Sequence, residues 1–284
     1  MIPARVVEIE TPKKVRLNGL WFGPQKPGRV IVWVHGLGSS AFSRQDIVTL
    51  LAKGNTAVLT FNNRGSGVIS RFSKGKKRYE GGAAHEEFAE CVDDIDGAVA
   101  FAHSQGVKKV FLAGHSTGCQ KSVFWAAKRK GKGVSGIILL APIADYAGLS
   151  AEERVLLPKA TKAAQSLMAA GTAHTLLPAD TWPQHIDAQR FLSLYTPDSV
   201  EQSIFSYFDE TKTPRTLRSV PVPILVLLAG DDEFADRPAE DIALWFDEHA
   251  RAPLSLSIIS SVDHGFKGGE KEVVDAIKKW MKDL

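Results

Sequence analysis

Three short stretches of the chain carry side chains suited to nucleophilic chemistry. The first is Gly114-His115-Ser116-Thr117-Gly118, a G-x-S-x-G arrangement directly after the apolar run Lys109-Val110-Phe111-Leu112-Ala113 and directly before a helical pattern. A serine on a sharp turn from strand to helix has its hydroxyl lifted into the open. The flanking glycines lack the Cβ atoms that would clash in such a turn. A hydroxyl is a weak nucleophile near neutral pH and needs a base within hydrogen-bond reach. The second stretch, Ser261-Val262-Asp263-His264-Gly265-Phe266, offers one after the last apolar strand pattern and before the last helical one. The third, Leu228-Ala229-Gly230-Asp231-Asp232-Glu233, offers a carboxylate to orient the imidazole and stabilise its cation. Asp232 is favoured. Glu233 and Asp231 are neighbours that face different ways, and Asp145 at the end of an earlier strand is a further rival.

Negative charge that develops on a carbonyl oxygen during acyl transfer needs prepositioned N–H donors. The N–H of Thr117, next to the serine, is one candidate. The turn His35-Gly36-Leu37-Gly38 follows another apolar run, and the N–H of Leu37 is the second. His35, Gly36 and Arg64, the last in Asn62-Asn63-Arg64-Gly65 after a central strand, could also reach substrate, although a structural ion pair is an equal reading for Arg64.

The remaining histidines have blander readings. His103 and His249 sit near helix ends, His115 packs beside the elbow, and His174 and His185 are expected to be exposed. His85-Glu86-Glu87-Phe88-Ala89 begins like the zinc helix H-E-x-x-H but lacks its second histidine, so no metal is expected there. No cofactor motif is present either.

The elements that must position these residues are legible in outline. Val6, Val7 and Ile9, then Val15, Leu17 and Leu20, predict an early hairpin. The apolar runs 30–34, 57–61, 109–113, 136–140, 221–228 and 254–258 read as buried strands. Helical spacing is expected near 43–53, over 85–104, after the elbow to about 129, and over 269–283. Residues 62–84, rich in glycine, serine and basic side chains, read as a long loop. Their cluster from Arg71 to Arg78 is either a solvated face or a rim for anions.

Strands alternating with helices imply a mostly parallel sheet covered on both faces. The exception is about 146–216, far longer than an ordinary connection. The expected organisation is a core of 1–145 and 217–284 with 146–216 as an inserted helical cap. The cap's apolar residues, Trp182 among them, would fix it to the body or line a substrate pocket.

Composition narrows the function classes. There are 35 basic and 32 acidic residues, a net charge of +3, which is too balanced for a nucleic-acid binder. The two cysteines form neither a zinc-type spacing nor a disulfide framework. No apolar run approaches membrane-spanning length, and the start does not resemble a signal peptide. A cytoplasmic location is the expectation.

With His35-Gly36 upstream and the order Ser116, Asp232, His264, the chain resembles the α/β-hydrolase superfamily over nearly its whole length. Gly114-His115-Ser116-Thr117-Gly118-Cys119-Gln120 and Gly230-Asp231-Asp232-Glu233-Phe234 are similar to siderophore-esterase-like hydrolases, in which the acid precedes a Glu-aromatic pair. The resemblance implies a mostly parallel, eight-stranded sheet flanked by helices with an inserted cap. It also implies a serine hydrolase acting on a small-molecule ester through an acyl-enzyme. Thioester, amide and carbon–carbon cleavage, and a receptor-like protein that binds without turnover, are the alternatives.

Overall fold

The computed structural model describes residues 3–284. Its centre is one sheet. Strands β1 (Ala4–Glu10) and β2 (Val15–Phe22) form the expected antiparallel hairpin. Strands β3 (Arg29–Val34) and β4 (Thr56–Phe61) follow, with α1 (Gln45–Leu51) between them. Next come β5 (Ser70–Lys74), β6 (Lys77–Gly81), α2 (Cys91–Ser104), β7 (Lys109–His115), α3 (Thr117–Arg129) and β8 (Gly136–Leu140). A long helical stretch leads to β9 (Ile224–Ala229), and α7 (Ala239–His249), β10 (Leu254–Ile259) and α8 (Glu270–Trp280) complete the chain. Within the stretch lie α4 (Ala151–Ala169), α5 (Ala188–Tyr195) and the single turn α6 (Arg215–Arg218).

The strand order is β10-β9-β8-β7-β3-β4-β2-β5-β6, with β1 also on β2. Six strands, β3, β4 and β7 to β10, are mutually parallel, and the others run antiparallel. The sheet thus has ten strands, not the expected eight. The additional pair is β5 and β6, inside the segment read as a loop. This hairpin closes on Gly75 and Lys76 with Gly75 in the left-handed region (φ 58°). It buries little beyond Phe72, which pairs with Tyr79, so its sequence lacks an apolar alternation that would announce a strand. The expected helix over 85–104 also starts later, at Cys91. Glu87 is extended and a single 3-10 turn spans Phe88–Glu90.

Alternation along the central strands divides the core. Val30, Val32 and Val34 of β3 meet Ile95, Val99, Val123 and Phe246 of α2, α3 and α7 on one face. Ile31 and Trp33 meet Ile47, Leu51, Val273 and Ile277 of α1 and α8 on the other. Strands covered on both sides need uninterrupted apolar runs, and β4, β8 and β9 are buried at every position. Edge strand β10 is not.

The stretch between β8 and β9 has a core of its own. Leu149, Ala160, Ala164, Leu177, Trp182, Phe191, Leu194 and Tyr195 pack together, and Leu37 of the β3–α1 loop packs against them. Helix α4 opens with a capping box in which Ser150 Oγ accepts from the Glu153 N–H and Glu153 accepts from the Ser150 N–H. Among the described residues, no helix is long and apolar enough to cross a membrane.

Candidate active site

The chain passes from β3 outward to β4 and later returns to β7 on the other side of β3. At such a reversal the loops leaving the two strands diverge and open a crevice at the carboxyl edge of the sheet. The β3 loop delivers His35-Gly36-Leu37 there and the β7 loop delivers Ser116.

Ser116 has φ 56° and ψ −130°, a conformation that L-residues rarely adopt. Close packing imposes it. A Cβ at Gly114 would collide with the Gly118 carbonyl, and one at Gly118 with the Val34 carbonyl. The turn is pinned by the Ser116 N–H donating to the Leu140 carbonyl (3.0 Å) and the Cys119 N–H donating to the Ser116 carbonyl (2.8 Å). Gly36 lies directly against the serine, where a Cβ would sit 2.8 Å from Ser116 Cβ and 3.3 Å from Oγ. Thr117 opens α3, at the end where helical N–H groups lack intrahelical partners and the helix dipole is positive.

His264 arrives on the loop after β10. Its Nδ1 lies 2.8 Å from Oδ2 and 3.0 Å from Oδ1 of Asp232, on the loop after β9. Asp232 Oδ1 also accepts from the Phe234 N–H (3.0 Å), and Phe234 stands edge-on to the imidazole at 5.0 Å between centroids. Glu233 faces elsewhere and accepts from the backbone N–H of His264 (2.8 Å). Asp145 is also turned away, and accepts from Gln120 and Gln202.

The structure therefore brings His264 and Asp232 together and gives Glu233 a separate task, fixing the histidine's backbone. Among the described residues no hydrogen bond yet joins the Ser116 hydroxyl to the imidazole. In unliganded sites such bonds commonly tighten only when substrate is bound.

Two further histidines shape the site without facing it. His115 Nε2–H donates to the His264 carbonyl (3.0 Å), tying the elbow to the histidine loop. Burial and the adjacent His264 push its pKa down to about 3, so it stays neutral. His35 is buried. Its Nε2 accepts from the Asn63 N–H (3.3 Å), which leaves Nδ1–H to donate to the Gly36 carbonyl (2.9 Å). Burial, helped by nearby Lys121, lowers its pKa to about 4. The Gly36 carbonyl and the Leu37 N–H belong to one planar trans peptide and point in opposite directions. Holding the carbonyl therefore aims the N–H. Sequence reasoning grouped His35 with substrate contacts, and its geometry makes it a support for that peptide.

Arg64 occupies the structural one of its two sequence readings. It is 3% exposed and meets Glu90 (2.5 Å) and Asp94 (2.8 Å), with Asp93 also in contact. Trp182 is fully buried, with its ring 4.9 Å from both Phe191 and Tyr195, so it fills the core of the inserted stretch. A cleft of about 160 Å³ next to the site is instead lined by Leu37, Ile143, Leu149, Tyr195 and Phe234, together with the polar Asp145, Glu153 and Gln184. Burial raises the Asp145 carboxyl to about 6.

The chain is similar to several known proteins. Residues 25–272 match the hydrolase family described as serine aminopeptidase, S33. Phospholipase YtpA of Bacillus subtilis (strain 168) is 25% identical over 228 residues, spanning 78% of this chain and 82% of that protein. Of solved structures, DcsB in complex with its substrate analogue superposes with a TM-score of 0.73 at 16% identity over 99% of both chains. Est1E from Butyrivibrio proteoclasticus, with ferulic acid bound, gives 0.66 at 19% identity over 98% of both. A family match over most of the length, on a parallel sheet with a strained elbow, identifies the chain as a hydrolase of the serine aminopeptidase S33 family within the α/β-hydrolase superfamily.

Proposed function

We propose that the chain is a serine carboxylesterase cleaving small to medium acyl or aryl esters. The imidazole of His264 braced on both oxygens of Asp232, beside a strained Ser116, carries the reading. Ser116 Oγ attacks the ester carbonyl while His264 Nε2 takes its proton. Asp232 holds the Nδ1–H tautomer and stabilises the imidazolium. The Leu37 and Thr117 N–H groups receive the oxyanion. His264 then gives the proton to the leaving alcohol, which departs and leaves an acyl-serine. Water activated through His264 releases the acid.

The cleft favours a small group on one side of the scissile bond. A cavity of about 150 Å³ accommodates benzene, and this one is about 160 Å³, its apolar walls interrupted by Asp145, Glu153 and Gln184. Residues 146–216 act as the cap above it and Leu37 is their contact with the oxyanion loop. The ferulic acid on Est1E is an aromatic acid of the class proposed here.

Labelling with a fluorophosphonate probe, together with turnover of short p-nitrophenyl esters beside thioesters and amides, tests the proposal. Wild type labels and hydrolyses esters fastest, and Ser116→Ala does neither. Equal ester turnover by wild type and Ser116→Ala refutes it.

A further inference from the structure

Two histidines from distant parts of the chain converge on one carboxylate oxygen. His85 lies on the body, in the loop after β6. His174 and Asp187 lie in the inserted stretch, between α4 and α5. The Nδ1 atoms of both rings are 2.9 Å from Asp187 Oδ2, and the three donor atoms lie within 4.8 Å of one another. Asp187 is completely buried and held on two sides. Its Oδ1 caps α5 by accepting from the Arg190 N–H (2.8 Å), and its own N–H donates to the Ala84 carbonyl (2.9 Å). The His85 side chain is 11% exposed and that of His174 56%, so the cluster opens on one side. It opens into a cleft of about 420 Å³ shared with Tyr79, Glu80 and Glu87.

We propose that His85, His174 and Asp187 form a binding site for a borderline divalent transition metal, with Zn²⁺ as its natural probe. Two imidazole nitrogens and a carboxylate oxygen are the ligand types such ions take, and three protein ligands leave a fourth position for water on the open side. A tetrahedral ion with bonds of about 2.0–2.1 Å sets its ligands about 3.3 Å apart. Each Nδ1–Oδ2 gap of 2.9 Å then widens by about 0.4 Å, and the two rings, whose nitrogens lie within 4.8 Å, close around the ion.

On binding, each neutral ring moves its proton from Nδ1 to Nε2 and turns the freed lone pair to the metal. His174 Nε2 has a partner ready in Glu87 Oε1, 3.6 Å away, the outer carboxylate that metal-bound histidines commonly engage. The Arg190 N–H on Asp187 serves the same orienting purpose. The ion would staple the inserted stretch to the body and does not depend on the esterase reading. The site is hidden in the sequence because His85 and Asp187 lie 102 residues apart, and His85-Glu86-Glu87-Phe88-Ala89 lacks a second histidine.

Protein stripped with a chelator and titrated with Zn²⁺ by equilibrium dialysis tests the site, in wild type and in Ser116→Ala. Both should bind one equivalent. A hundredfold excess over Kd should raise Tm by about 4–5 °C, and Co²⁺ should show the ligand-field spectrum of a tetrahedral N/O site. His174→Ala, at an exposed position that tolerates truncation, should weaken binding at least tenfold and abolish the spectrum. His264→Ala should leave both intact. The absence of stoichiometric binding, equal binding by His174→Ala, or loss of binding in His264→Ala overturns the proposal.

Discussion

Glu86 is an anion set between two buried cations from separate parts of the molecule. Its Oε1 is 2.6 Å from Lys121 Nζ on α3, and its Oε2 is 3.1 Å from the Arg190 guanidinium on α5. Lys121 and Arg190 are fully buried and Glu86 is 3% exposed. Arg190 also pairs with the equally buried Glu201, so the four charges sum to zero. Burial alone would raise the Glu86 carboxyl, but Lys121 and Arg190 override it and hold it below the usual glutamate range.

Replacing Glu86 by Gln keeps the shape and leaves one net positive charge in the interior. Breaking a buried ion pair from one side costs about 3–5 kcal/mol. Unfolding entropy of about 2.1 cal/mol/K per residue gives about 0.6 kcal/mol/K for 284 residues. The expected fall in Tm is therefore about 5–8 °C. Differential scanning calorimetry at pH 7 reads it directly. Glu86→Gln/Lys121→Met removes both members of the first pair and should recover part of the loss, a coupling that independent sites would not show. A Glu86→Gln midpoint within about 2 °C of wild type would refute the view that this knot joins body and insertion energetically.

Other consequences follow from the same geometry. Asp232→Asn should lower kcat by about 10⁴, the cost of the wrong imidazole tautomer, whereas Glu233→Gln, which touches only the His264 backbone, should cost far less; steady-state kinetics with a p-nitrophenyl ester separates them. His35 and His115 have folded-state pKa values of about 4 and about 3 against 6.5 for an ordinary histidine, so the unfolded chain takes up protons first. Their contribution is fully present above about pH 6.5 and is lost on acidification, by about 2 kcal/mol each between pH 7 and pH 5. Urea midpoints measured across that range should flatten in His35→Gln by about that amount. His35→Gln should also lower kcat through the misaimed Leu37 N–H while leaving fluorophosphonate labelling detectable.

Much of the framework was legible because the parallel strands are covered on both faces. That burial demands unbroken apolar runs, and Val30–Val34 and Ile224–Leu228 stand out in any reading. The elbow was legible because its backbone tolerates only glycine at 114 and 118. The hairpin of β5 and β6 escaped notice since a pair of strands at a sheet edge that buries one phenylalanine needs no apolar alternation. Pairings between distant segments were equally hidden. Nothing about Glu86 in sequence points to Lys121 or Arg190, and nothing about Arg64 fixes whether it faces solvent, substrate or the acidic first turn of α2. Asp231, Asp232 and Glu233 could be narrowed but not resolved by spacing, since the loop that follows β9 obeys no regular alternation.

The histidine loop hangs from β10, a strand with a single neighbour at the margin of the sheet. As the polypeptide leaves the ribosome, the serine and its elbow emerge long before the strand that carries the imidazole. If Ser116 is the nucleophile proposed above, its hydroxyl lacks a proton acceptor until β10 docks and brings His264 to the site. On the proposed mechanism, the last strand of the chain is therefore the one that completes the catalytic set.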